Sequence, residues 1–224
     1  MSANPIDLTT VAKVKTWLSS GGLAPSNTDD DPQIQACITS FSAMFLWRTC
    51  KGNQDGEEPS ESPFVAPISY TEVYDGNGKD RIWLRNSPIQ SVTSVIVGTV
   101  TLTLSTGFNS PGVTVSGNKK YIFICRGNTG IVNLTDLGYG WGGCFPRGRQ
   151  NVQVVYSAGY NSTPDDIEMA ARKAAALNYK RRDWIGLRSK SLGQGAGSTS
   201  YQDWEYDPDV ERLISNYTRY AMGY

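Results

Sequence analysis

One stretch, from Asn151 to Tyr201, limits the possible folds of this chain more than any other. Asn151-Val-Gln-Val-Val-Tyr156 reads as a strand, Ala158-Gly159-Tyr160 as a turn, and the residues beyond as a long helix. The helix start is well marked. Thr163 suits the cap, Pro164 the first helical position, and Asp165, Asp166 and Glu168 the positive end of the helix dipole. Lys180, Arg181 and Arg182 suit the opposite end, and Gly186 is placed to stop the helix. Ile167, Ala170, Ala171, Ala174, Leu177 and Asn178 recur at helical spacing. An alanine-rich face holds off no neighbour, so the spacing predicts a buried helix against which others pack closely.

Three further helices are predicted. Thr9 or Thr10 can cap one carrying Val11, Val14 and Leu18 on one face and closed by Gly21-Gly22. Asp31-Pro32 opens a second with an apolar stripe of Ile34, Cys37, Ile38, Phe41, Met44 and Phe45. Asp207-Pro208 opens the last, with Val210, Leu213, Ile214 and Tyr217 facing inward.

Between the two helical halves the period changes to two. Tyr70, Glu72 and Tyr74 alternate with Thr71 and Val73, Asp75-Gly-Asn-Gly78 makes a tight turn, and Arg81 to Leu84 returns as a predicted hairpin. Strands follow at Ile89 to Val97, Val100 to Leu104, Val113 to Val115, Tyr121 to Cys125, Ile131 to Leu134 and Asn151 to Tyr156. The expected fold class is α+β. A four-helix frame, the N-terminal pair plus two C-terminal helices, occupies 1–52 and 160–224. An exposed acidic loop covers 53–68, and a β-rich insertion of about seven short strands covers 69–157.

A chain of 224 residues is long enough to bury roughly 70% of its unfolded surface. Its 21 basic and 21 acidic side chains cancel, which removes any global electrostatic argument for nucleic acid or membrane. Cys37, Cys50, Cys125 and Cys144 are far apart and form no CxxC pair, so they read as thiols in a reducing compartment. No apolar run approaches the ~20 residues that span a bilayer. The chain reads as a soluble cytoplasmic product with no membrane partner.

The chemistry is mostly absence. Without a single histidine, the commonest general base, the Ser-His-Asp constellation and the usual zinc ligands are missing. The carboxylates cluster in a loop and at helix starts, where solvation and capping explain them. Gly138-Tyr-Gly-Trp-Gly and Gly193-Gln-Gly-Ala-Gly lack the Lys-Ser/Thr pair of a phosphate loop. The segment from Asp75 has Asn86 where a calcium loop needs its twelfth-position Glu. The expectation is no enzyme, no metal and no cofactor.

Two features point to a partner. From Gly52 to Gly78 the chain holds Asp55, Glu57, Glu58, Glu61, Glu72 and Asp75 and no base. Lys180, Arg181, Arg182, Arg188 and Lys190 are opposed in sequence by Asp183 alone. The last 24 residues hold Tyr201, Trp204, Tyr206, Tyr217, Tyr220 and Tyr224, a quarter of the segment against 11% aromatics overall. Gly186 to Ser200, rich in Gly and Ser, reads as too flexible to pack alone. Amphipathic rings beside such a strip suit an arm that docks on a partner.

The residues Val155-Tyr156-Ser157-Ala158-Gly159-Tyr160, Pro164 with its alanine-rich helix, and Arg188-Ser189-Lys190-Ser191-Leu192-Gly193 with Ser198-Thr199-Ser200-Tyr201 behind resemble the head–tail adaptor (connector) proteins of tailed bacteriophages. The likeness also takes in the N-terminal helix pair and the segment around Tyr74 to Gly78 with Arg81 to Pro88. It thins from Gly52 to Pro67 and from Gly98 to Arg149. The resemblance implies a structural virion protein with a helical core and an inserted β-region. It also implies a homo-oligomeric ring, typically of twelve copies, beneath the portal protein, made in the host cytoplasm and placed at the head–tail interface. Such a ring extends the DNA channel, passes DNA without reading its sequence, and receives the next connector or the tail. The expected contacts with portal or neighbour are Arg181, Arg182, Arg188, Lys190, Tyr201, Trp204, Tyr206 and Tyr220. The acidic patch facing a neighbour is Asp55, Glu57, Glu58 and Glu61.

Two other classes fit parts of the chain. A nucleic-acid-binding module could use 82–164, where Arg85, Lys119, Lys120, Arg126, Arg147 and Arg149 meet Asp136 alone. A carbohydrate-binding or hydrolytic β-domain could use Trp83, Tyr139 and Trp141.

Overall fold

A computed structural model describes residues 4–20, 28–49, 60–107, 110–125, 143–182, 189–191, 198–200 and 208–218. Residue 20 and the segments 189–191 and 198–200 are described through their backbone alone. The fold is α+β, with an N-terminal helix pair, a β insertion and C-terminal helices. It divides into two compact units, Met1–Val65 with Ser162–Tyr224, and Ala66–Asn161.

In the first unit, α1 (Val11–Ser20), α2 (Asp31–Arg48), α3 (Asp165–Arg181) and α4 (Pro208–Tyr217) form the frame. Val14 and Leu18 of α1, Ile34 and Ile38 of α2, and Ala175, Ala176 and Tyr179 of α3 make one buried cluster. The short alanine side chains let three helices meet at α3. Of the predicted face, Ile167, Ala170, Ala171 and Ala174 are buried and Leu177 and Asn178 half-buried, while Ala175, Ala176 and Tyr179 join the buried side. Charge pairs tie the helices at their rims. Glu168 accepts from Lys13 of α1 and from Arg172 one turn on, and Arg48 holds Glu211 through two bonds of 2.8 and 2.7 Å.

Two predicted caps are corrected. α2 starts at Asp31, with Asp30 in the cap position and no side-chain capping bond, because the Asp30 carboxylate is turned to Arg182. In α3 the cap position falls on Pro164, whose extended backbone (ψ 142°) precedes the first turn. Asp207 lies outside the described residues.

The loop expected to be exposed is not exposed at its end. Glu61 is solvated, but Ser62, Pro63 and Phe64 are buried. The Phe64 ring meets Phe45 edge-on at 5.4 Å and Tyr217 at 5.7 Å, so an apolar side chain in an otherwise polar run decides where the segment lies. The N-terminal residues are also fixed in a way the sequence reading missed. Asp7 accepts from Gln35 and Thr39 of α2 at 2.6 and 2.8 Å, which seats Ile6 and Leu8 in the core.

Among its described residues the second unit holds seven strands: β1 (Ile68–Gly76), β2 (Arg81–Trp83), β3 (Ile89–Val97), β4 (Val100–Leu102), β5 (Gly112–Val115), β6 (Tyr121–Cys125) and β7 (Gly148–Ala158). They form two antiparallel sheets, β1-β7-β3-β4 and β2-β6-β5, which share one apolar core. The strand expected at Ile131 to Leu134 lies outside the described residues. The predicted hairpin does not form. β1 pairs with β7 (Tyr70 opposite Tyr156, Tyr74 opposite Val152), and β2 pairs with β6. The turn between them hands the chain from one sheet to the other. Asp75 accepts from the Gln150 amide at 2.6 Å, and the Gly76 amide donates to the Asn151 side chain at 2.7 Å. Gly78, at φ 73°, donates to the Phe145 carbonyl at 2.8 Å. Gly76 is required by close approach, since a Cβ there would sit 1.8 Å from the Pro146 carbonyl oxygen.

The Ser/Gly-rich strip also departs from expectation. Ser189–Ser191 (β8) and Ser198–Ser200 (β9) pair as a short antiparallel ladder. A backbone ladder satisfies its own amides and carbonyls and needs no apolar side chains to exist.

Inside the β unit, Glu72 is buried and faces donors on three sides. Tyr74 and Tyr156 donate their hydroxyls to Oε2, the latter at 2.6 Å, and the Asn86 side chain donates to Oε1 at 3.2 Å. The hydroxyls in turn accept from the backbone amides of Arg85 (2.9 Å) and Asn86 (3.2 Å). Both phenols are held well above their ordinary pKa, first by burial and, for Tyr156, next by its bond to Glu72. A group raised in the folded state stabilises fully below its unfolded pKa, about 10 for tyrosine, and that contribution is lost as pH rises toward the folded value. Stability is therefore expected to fall steadily above about pH 10. Denaturant melts between neutral and alkaline pH check this, and Tyr156→Phe should shallow the alkaline decline. A flat profile would contradict it.

Candidate functional site

The predicted contact residues are only partly gathered by the fold. Arg181 ends α3 and is half-buried, and Arg182 follows it. Arg182 is committed within the chain: Nη1 donates to Asp30 at 3.0 Å and to Gln33 at 3.2 Å, and its guanidinium lies 4.0 Å from the Tyr179 ring centroid. A hydrogen bond from Tyr179, then one from Arg182, lowers the Asp30 carboxyl below its usual value, and Asp30 in turn raises Arg182. Arg182, expected at a contact with portal or neighbour, thus also has partners within the chain. Lys190 lies in β8, its side chain outside the described residues, as are Arg188, Tyr201, Trp204, Tyr206, Tyr220, Asp55, Glu57 and Glu58. Glu61 is described and exposed. Two acids counted in the same run, Glu72 and Asp75, are spent on internal bonds.

Beside this end of α3 runs a groove of about 280 Å³, floored by Ala174, Ala176, Leu177 and Val210 and edged by Trp17, Lys173 and Lys180. Leu177, expected on the buried face of α3, lines this groove beside Lys180.

On the β unit, pairing places Arg81 opposite Phe123 and Trp83 opposite Tyr121. Their neighbours Ile82 and Ile122 go to the core, so these four turn outward. Trp83 is 38% exposed, with its ring centroid 4.8 Å from Tyr121, and Tyr121 lies 6.2 Å from Phe123. Asn77, Lys79, Asp80, Arg81, Trp83 and Cys144 line a groove of about 560 Å³ there. The partner strand that brings Tyr121 and Phe123 beside Arg81 and Trp83 was hidden by the predicted hairpin.

Among the described residues no group of three or more His, Cys, Asp or Glu is placed to hold a metal ion. Cys37, Cys125 and Cys144 are free thiols, with Cys37 raised by burial. No described helix is long and apolar enough to cross a membrane. The fold and these surfaces define an α+β protein with a β-sandwich insertion in a helical frame. No protein-family model and no curated protein matches the chain.

Proposed function

We propose that the protein is a structural head–tail adaptor of a tailed bacteriophage, one copy of a ring between the portal and the next connector or tail component. It acts by contact and carries no catalysis. The observation that supports the reading best is the order of elements. A helix pair, a β insertion, an alanine-faced helix, a Ser/Gly strip and a last helix follow one another as the resemblance implies. A closed ring needs a head-to-tail contact between unlike patches of neighbouring copies. The acidic stretch Asp55, Glu57, Glu58 and Glu61 and the basic end of α3 supply opposite signs. The basic set is Arg181, Arg182, Arg188 and Lys190, with Arg182 also bonded to Asp30. Exposed pairs of this kind add ~0–1 kcal/mol each and serve register and encounter more than affinity. Affinity comes from the aromatic segment around Tyr201, Trp204 and Tyr206 and from Tyr220.

Reversal of Arg181 and Arg188 to Glu tests this without breaking the Asp30–Arg182 bond. Fewer heads should retain the double variant, and a Glu57→Arg, Glu58→Arg partner change should restore part of the loss. Retention of the double variant at wild-type level would sink the charge-matched contact.

A further inference from the structure

The outer face of β2 and β6 has a composition that the ring reading does not use. Three rings (Trp83, Tyr121 and Phe123) lie in a row, with successive centroids 4.8 and 6.2 Å apart, the spacing of rings in contact. Lys79 and Arg81 flank the row at its groove end, and the Arg81 guanidinium also reaches to 5.8 Å from the Tyr121 centroid. Lys119, where the chain turns into β6, is exposed and donates from Nζ to the Gln90 side chain at 3.3 Å. Among the described residues, Asp80, bonded to Arg81 at 3.1 Å, is the one carboxylate lining that groove. The groove's 560 Å³ is in the range that holds a small ligand or one unit of a polymer.

Rings and cations together narrow the partner. An acidic peptide would use the cations and leave the rings wet. A neutral sugar would use the rings and leave the cations idle. Duplex DNA offers phosphates, but its base faces are already stacked on one another. A single strand presents both a phosphate chain and open base faces, the pair of features that this surface matches. We propose that the outer face of the β2–β6 pair binds single-stranded nucleic acid, with bases stacked on Trp83 and Tyr121 and phosphates met by Lys79, Arg81 and Lys119. This site differs from the basic set first expected from the sequence, since Arg85 leans over the Tyr74 ring at 5.2 Å. It does not rest on the ring assignment.

The test is fluorescence anisotropy of a labelled oligodeoxythymidylate about 15 nucleotides long, titrated with the full chain at about 50 mM salt, beside a duplex of the same length. The single strand should bind more tightly than the duplex. Trp83→Ala should weaken it about tenfold or more while leaving the salt slope unchanged, with Trp83→Phe intermediate. Arg81→Glu with Lys119→Glu should flatten the slope of log affinity against log salt by about 1.4, two phosphates at ~0.7 each. Both charged positions are exposed, so this pair tests the face even if Trp83→Ala fails to fold. No binding at low salt, equal affinity for the duplex, or binding that polyglutamate abolishes and Trp83→Phe leaves untouched would each overturn the proposal.

Discussion

Glu72→Ala is expected to unfold the β unit or to cost about 3–5 kcal/mol of its stability. The carboxylate is the common acceptor for the Tyr74 hydroxyl, the Tyr156 hydroxyl and the Asn86 amide, all buried. Removing it strands three donors away from water, and each unsatisfied buried group costs about 1–3 kcal/mol. The same cluster also orders the backbone, because Arg85 and Asn86 donate their amides to the two phenols and so fix the link from β2 to β3. Glu72→Gln keeps one acceptor oxygen while presenting an amide to hydroxyls that can turn, so its cost should be smaller, about 1–2 kcal/mol. Urea unfolding of the three proteins gives the comparison. An Ala variant within about 0.5 kcal/mol of wild type would mean that the cluster is not what joins β1 to β7 and the β2–β3 link.

Phe64→Ala should destabilise the helical unit by about 3–5 kcal/mol, the usual range for deleting a fully buried phenyl ring. Phe64 has no exposed surface and bridges Phe45 of α2 to Tyr217 of α4, whose hydroxyl also reaches Asp166 of α3 at 2.9 Å. Loss of the ring leaves a cavity between Phe45 and Tyr217. Phe64→Leu, which retains most of the volume, should cost less than half as much. Equal stability of Phe64→Ala and wild type would return residues 60–65 to the exposed loop that their composition suggests.

Helices and strands were legible wherever a period could be counted. The alanine face of α3 and the Ile34, Ile38, Phe41, Phe45 stripe of α2 could be read directly, because packing against one side imposes a repeat of 3.6. β3 and β6 were also legible, since alternation and turn residues bound them on both sides. Pairing was not. Tyr70, Glu72 and Tyr74 with a Gly-rich turn and Arg81 to Leu84 are what a hairpin looks like in a window of 15 residues, a span of the size that hairpin signals occupy. The partner that wins, β7, lies some 70 residues away, and its Gln150 and Asn151 take the turn's own hydrogen-bonding groups. Local chemistry cannot show a competitor at that distance. The surroundings of each charge were hidden for a related reason. A run of acids in sequence treats Glu72 and Glu61 alike, whereas the fold buries one among phenols and leaves the other in water. Arg182 was likewise legible as a dipole-matched helix end, but its Asp30 partner sits 152 positions earlier in the chain.

The proposed adaptor role is tested most directly by counting and locating the protein in purified phage particles, by quantitative peptide measurement against the portal protein together with imaging of the head–tail junction. The account predicts a fixed, ring-sized copy number equal to that of the portal or in simple ratio to it, with density confined to the junction below the portal. A protein that is absent from particles, present at one copy, or spread over the head or along the tail would contradict it.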